Sequence, residues 1–487
     1  LDRNNANALL FSTSLTGLNS IQIQGADGET DLLALNYGDA QLTQLSISFD
    51  GGLGGNDALE FFGGTFDTVT HNLTGPGAGA VDFSGNAITE ISYTGLEPVF
   101  GGSNTANNVV INLPTATTDA IPENAALPGE MQIRSLSSSF ELTTFASPAD
   151  SLQITTAGGA SIVELNSYDA SFAPTDLILS GQAGDTYQLA GSDLLDDSVA
   201  LTLSGGATLD LGNFDETVAQ FTLEDGTVIA AGGVLTSQSD LDLRSGSVKA
   251  QLNGNNLIKN GSGTVILDAL NGYTGSTTVN DGTLQLTQSN AIPNTTSVDL
   301  TSATSVLDLN GFSVSLTSLT GTGSVLLGGP AGSLTLNQAI STSATFAGDI
   351  SGDGSLTIAG AGEVILSGNS SFTGPTNVQD GVLKVEGTLV TSEVIVATGA
   401  TLGGSGSITA PVTINADAAL VPGSSPGILR TGDLTLDADA DLNIEINGTN
   451  AGSEYDQIQV AGEVDLTGAT LNISSSFTAA AGDQFLL

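Results

Sequence analysis

The sequence predicts an all-β protein folded as a parallel β-helix, a β-solenoid of stacked coils forming an elongated rod. Three observations predict it. Gly makes up 63 of the 487 residues while Cys and Trp are absent, a composition that points to an ordered, Gly-punctuated β protein. Short runs such as Val265-Ile266-Leu267, Thr277-Thr278-Val279 and Leu284-Gln285-Leu286 alternate or are β-branched and are bounded by Gly, Asn and Asp, which reads as strands and turns. The chain also repeats itself. GSGTVILDALNGYTGSTTVNDGTLQL at 261–286 and GAGEVILSGNSSFTGPTNVQDGVLKV at 360–385 share 12 of 26 positions, with echoes at 321–329 (GTGSVLLGG) and 404–408 (GSGSI).

A strand of three to five residues cannot bury its inward face alone, and an isolated hairpin is marginal in water. Coiling the chain so that each strand pairs with its equivalent one coil later removes both problems and gathers inward Val, Ile and Leu into a column. The corners then need residues that accept positive φ, the role expected of Gly and Asn.

The elements follow in chain order. Residues 1–113 form a β-rich region, either a second solenoid or an irregular β domain. Segments such as GLNSIQIQGADGETDLLAL and LSISFDGGLGGNDALEFFGG resemble those of very large bacterial surface proteins. GGLGGNDAL at 51–59 and GQAGDTYQL at 181–189 resemble the calcium-binding nonapeptide of β-rolls. If Ca²⁺ is a cofactor, Asp57 and Asp185 are its expected ligands. The plainer alternative is ordinary Gly-Asn-Asp corners and no cofactor, since the first copy has an extra residue before Asp57 and the second has Gln182 in place of Gly. Pro114, Pro122 and Pro128 mark residues 114–130 as a loop or joint. Residues 131–225 read again as β-rich solenoid.

The stretch 226–398 carries the repeats. NLIKNGSGTVILDALNGYTGSTTVNDGTLQL at 256–286 resembles the autotransporter passenger-associated strand repeat, with its L-x-K-x-G-x-G-T-x-x-L start, N-x-Y-x-G-x-T-x-V middle and G-T-L-x-L end. Residues 344–385 are similar, with Phe372 at the Tyr273 position and Ile358 at the Lys259 position. Residues 399–487, including ATLGGSGSI, LVPGSSPGILRTGDLTL and AGDQFLL, resemble the segment that follows such repeats, and the β-helix is expected to continue beyond them. The resemblance implies a right-handed β-helix, secreted or displayed on a bacterial surface, and no chemistry. Nothing matches the aromatic-girdled C-terminal barrel of a complete autotransporter, so a fragment of a longer protein or another anchor is expected.

Charge excludes further classes. With 52 Asp and Glu against 7 Lys and Arg, a net charge of -45, the chain cannot neutralise nucleic-acid phosphates or anionic lipid head groups. No apolar run is long enough to span a membrane as a helix. The lack of Cys removes thiolate chemistry, and the single histidine, His71, removes most imidazole chemistry. His71 could face Asp67 along a strand, but a lone corner or exposed histidine is the simpler expectation. Asp196-Asp197 is an adjacent acidic pair, whose side chains would point to opposite faces of a strand and not at one sugar bond. Asn447-Gly448-Thr449 and Asn472-Ile473-Ser474 fit a glycosylation acceptor pattern that such a composition produces by itself. Tyr273, Phe372 and Tyr455 read as packing residues.

The expectation is therefore an extracellular, non-enzymatic structural protein, a stalk or fibre subunit. The alternatives are a surface adhesin that binds glycans and, third, a polysaccharide-degrading β-helix. Its expected partners are further copies of itself or flanking domains, end to end, because Leu9-Leu10-Phe11 and Phe485-Leu486-Leu487 are apolar clusters near the two termini.

Overall fold

The computed structural model describes residues 18–37, 45–84, 89–115, 119–166, 168, 174–423 and 426–487. Leu9-Leu10-Phe11 and Arg3 lie outside them. No α-helix occurs among the described residues, and the chain divides into two compact units. The first holds the residues up to Ala219 together with Asp225–Gly233, and the second Gln220–Glu224 together with Val234–Leu487.

The first unit mixes two kinds of pairing. Ala58–Gly75, an 18-residue strand, pairs antiparallel with Ala78–Ser84 and parallel with Val99–Asn112. Asp119–Asn124 lies within the segment expected to be a loop or joint, yet it is a strand, antiparallel to Glu130–Ser135. Its Ala120, Ile121 and Pro122 are buried, and that burial is enough to make a strand despite the proline. From Ser151 the pattern is that of a solenoid. Ser151–Thr155, Asp176–Ser180 and Ala200–Ser204 pair in parallel register, as do Ile162–Leu165, Thr186–Leu189 and Thr208–Asp210. Both readings of the first half thus describe part of it.

The second unit is a β-solenoid throughout. One column of parallel strands runs from Leu241–Leu243 through Thr277–Val279, Glu363–Leu366 and Val382–Val385 to Thr470–Ser475. A second runs from Gly246–Val248 through Thr264–Leu267 and Thr283–Leu286 to Gln457–Val460. A third begins at Ser313–Leu316 and reaches Val464–Asp465. Alternation decides the burial: in Thr264–Leu267 and Val382–Val385 the second and fourth residues are buried and face the coil interior. Each such aliphatic side chain contributes about 1.5–3 kcal/mol.

Some corners use glycine for φ, as at Gly282 (φ 69°) and Gly381 (φ 65°). Another corner uses it for a different reason. Gly348, Gly368, Gly387 and Gly406 occupy successive coils at ordinary φ, and a Cβ on each would collide with the carbonyl oxygen of a glycine one coil earlier. Close stacking of backbones, and not a left-handed conformation, demands glycine in this column.

Outside the column, polar side chains form ladders along the coils. The Asn260 amide donates to Asp242 at 2.8 Å, Asn280 donates to Asn260 at 2.8 Å, and the Thr301 hydroxyl donates to Asn280 at 3.1 Å. These bonds satisfy amides that a flat polar surface would leave to water.

Candidate interaction surfaces

The carboxylates expected to bind calcium are fastened to protein donors. Asp185 is buried and accepts from the Thr156 hydroxyl at 2.7 Å, from the N–H groups of Ser161 and Gln182 at 3.0 Å and from that of Gly158 at 3.1 Å. Burial pushes its pKa up, but these four donors outweigh burial and hold it below the ordinary value. Asp57 is buried too, and its Oδ1 accepts the N–H of Asp31 at 2.7 Å. Among the described residues, no group of three or more His, Asp or Glu side chains is arranged to hold a metal ion. The geometry of both aspartates is that of a corner staple, a carboxylate tying its own coil to the one before.

The same device recurs where the sequence drew no notice. Glu216 accepts the N–H groups of Leu194 and Leu195 at 2.9 and 3.1 Å. Burial, opposed by those two donors and aided by the charges of Asp193 and Asp197, pushes its pKa up to about 7. Asp456 accepts from Gly427 at 2.9 Å and from Glu445 at 2.8 Å, and burial raises its pKa. Lys259 is the inverse staple. Its fully buried ammonium donates to the carbonyl oxygens of Asn260, Gly261 and Asp281 at 2.9, 2.6 and 3.0 Å, and burial lowers its pKa against the pull of Asp281 and Asp242. At the equivalent position of the second repeat Ile358 is buried without a charge, so the staple is local to one coil.

The candidate catalytic groups are not assembled. Asp196 is exposed and closes a turn on its own neighbour, accepting the Ser198 N–H at 2.9 Å and hydroxyl at 2.6 Å, which lower its pKa. His71 is neither exposed nor at a corner, contrary to expectation. It sits inside the first unit, opposite Val81 and Ile111, with its ring 5.9 Å from that of Phe61 and 6.1 Å from that of Phe145. Asp67 is exposed and has the Asn107 amide as its neighbour at 3.4 Å. Neither His71 nitrogen has a hydrogen-bond partner, and burial lowers its pKa to about 4. Strand length is the reason: inside an 18-residue strand the alternation carries His71 to the core side. Tyr273, Phe372 and Tyr455 are buried packing residues, Tyr273 with its hydroxyl 2.6 Å from that of Thr277.

Three grooves among the described residues lie on the second unit. At its last coil, Val464–Asp465 and Thr470–Ser475 pair on one side only; Val464, Leu466 and Leu471 are about half exposed around an apolar groove of about 580 Å³, and Ile473 on the same strand as Leu471 is about half exposed too. Phe485 packs edge-on against Tyr455 at 5.3 Å, while Leu486 is exposed. A second groove of about 350 Å³ lies between Lys384, Asn443, Asn472, Glu445 and Asp456. Its lysine is committed to Glu363 at 2.7 Å. A third, also about 350 Å³, surrounds Arg430 with Ser407, Thr409, Gln459 and Val460. In the sequence Arg430 is one of 7 basic residues, within LVPGSSPGILRTGDLTL, and no motif singled out above assigns it a role.

Comparison with known proteins agrees with this architecture. The passenger-associated-transport-repeat family matches residues 257–286 and 356–385. The chain is similar to the adhesin BmaC autotransporter of Brucella suis biovar 1 (strain 1330), 30% identical over 206 residues, covering 38% of this chain and 5% of that protein. It is also similar to an extracellular serine protease of Serratia marcescens, 34% identical over 133 residues, covering 27% of this chain and 12% of the relative. The chain therefore spans a small part of the length of either. No solved structure matches it. The chain resembles secreted bacterial surface proteins that carry passenger-type repeats on a β-solenoid.

Proposed function

We propose that this chain is a stalk segment of a secreted or surface-displayed bacterial passenger, a rigid spacer whose work is structural. The observation that carries the reading is the unbroken column from Leu241–Leu243 to Thr470–Ser475, filled by aliphatic side chains and clad in small polar ladders. Such a stack gains length coil by coil, and each coil needs only its neighbours. Its partner in this reading is another parallel coil, from a flanking segment or a second copy, which would cover Leu471 and Ile473 and pair with the open edge of Thr470–Ser475. The reading is non-enzymatic. One relative is named a serine protease, but the only histidine of this chain is fully buried and cannot reach a substrate as a general base.

Negative-stain imaging and light scattering of the chain, beside a Leu471→Asp/Ile473→Asp variant, test the reading. End-to-end chains of particles in the first and single particles in the second are expected. Single particles from both would overturn end-to-end assembly, and surface labelling of intact cells that finds the protein only inside would overturn the placement.

A further inference from the structure

We propose that the groove around Arg430 binds a glycan ending in a single carboxylate-bearing sugar. The inference deepens the surface reading above, since such glycans are met outside the cell.

Among the described basic residues, Lys249 and Arg430 are exposed without an ion pair, and of the two Arg430 lines a groove. The chain has 52 acidic residues for 7 basic ones, so a basic side chain has every chance of a carboxylate partner. Arg134 pairs with Glu123 at 2.7 Å, Arg244 with Glu224 and Asp242 at 2.8 and 3.0 Å, and Lys384 with Glu363 at 2.7 Å. Lys259 is buried on carbonyl oxygens. Arg430 is exposed, has no ion pair among the described residues, and lines a groove that contains no acidic residue. A guanidinium held among neutral groups presents a planar fork of donors that matches a carboxylate.

The rest of the lining selects the body of the ligand. Parallel register stacks Ser407, Arg430 and Gln459 on successive coils, and Thr409 stands beside them. Strands in register lie about 4.8 Å apart, so hydroxyl, guanidinium and amide follow one another at roughly the spacing of groups along a sugar chain. Val460, half-buried, offers a small aliphatic surface at one edge of the groove, whereas Ile408 is buried beneath it. No aromatic side chain lines the groove. The net charge of -45 limits the ligand further. A polyanion would be repelled along its whole length, whereas a single terminal carboxylate meets Arg430 and leaves only neutral hydroxyls near the other coils.

Calorimetric titration of the full chain with sialyllactose, lactose, polygalacturonate and an oligoglutamate tests this. Sialyllactose is expected to bind about tenfold or more tightly than lactose, the scale of one charge-assisted pair. Arg430→Gln is expected to bring the two to equal affinity, Arg430→Lys to restore part of the difference, and both variants to melt with the wild type because the side chain is exposed. Equal binding of lactose by the wild type, indifference to Arg430→Gln, tighter binding of either polyanion, or no binding of sialyllactose would each overturn the proposal. The stalk reading is scored by imaging and survives any of those results.

Discussion

Replacing His71 with Leu should stabilise the first unit, and by more at acid pH than at neutral pH. At pH 7 the wild-type ring is neutral, with both nitrogens buried and without hydrogen-bond partners. Leaving a buried polar atom unsatisfied costs about 1–3 kcal/mol, and a leucine between Phe61 and Phe145 avoids that cost at similar volume. The acid effect adds to it. The unfolded imidazole titrates at 6.5 and the folded one at about 4, so below pH 6.5 the unfolded state binds more protons. Stability from this residue is full above pH 6.5, falls as pH drops towards 4, and is flat below. The span corresponds to about 3 kcal/mol lost by the wild type and not by the variant. Hydrogen exchange of the amides in Ala58–Gly75, followed by mass spectrometry from pH 7 to pH 4 after correction for intrinsic rates, reads the local opening free energy. Parallel pH profiles for wild type and His71→Leu would refute the reasoning.

Other consequences follow from corners and staples. Gly387→Ala should cost about 1–3 kcal/mol, because the added methyl meets the Gly368 carbonyl of the neighbouring coil, and a thermal midpoint equal to that of the wild type would contradict the close-stacking account. The Glu216 pKa is raised, so its contribution is complete below the unfolded value and is lost as pH rises through about 7; Glu216→Gln should flatten that alkaline slope in exchange of the amides at 194 and 195. Since four protein donors occupy the Asp185 carboxylate, calcium and magnesium at equal ionic strength should raise the melting temperature equally by screening the net charge. A shift with calcium alone would place the ion at Asp57 or Asp185.

Much of the fold was legible because it is local. Alternation in runs such as Thr264–Leu267 states which side chains face inward, and Gly or Asn between runs states where the chain turns. Which side of the coil a strand occupies is not local. Thr264–Leu267 and Glu363–Leu366 are equivalent in the two repeats, yet the first belongs to the second column of strands and the second to the first. The repeat period is not a whole number of coils, and only the stacking of neighbours fixes the phase. Coil length varies as well: Asn260 meets Asn280, 20 residues on, whereas Ile446 meets Ser475, 29 residues on. That irregularity hides the alignment of Ser407, Arg430 and Gln459, three unremarkable residues far apart in sequence that register alone brings into one groove. His71 illustrates the same divide. Its solitude and the weakness of its chemistry were evident from composition, but its burial came from a long strand whose partners lie 10 and 40 residues away. The repeating pattern of side chains thus determined the class of fold. Backbone stacking across coils decided the rest, because hydrogen-bond register, and not sequence distance, sets which side chains become neighbours.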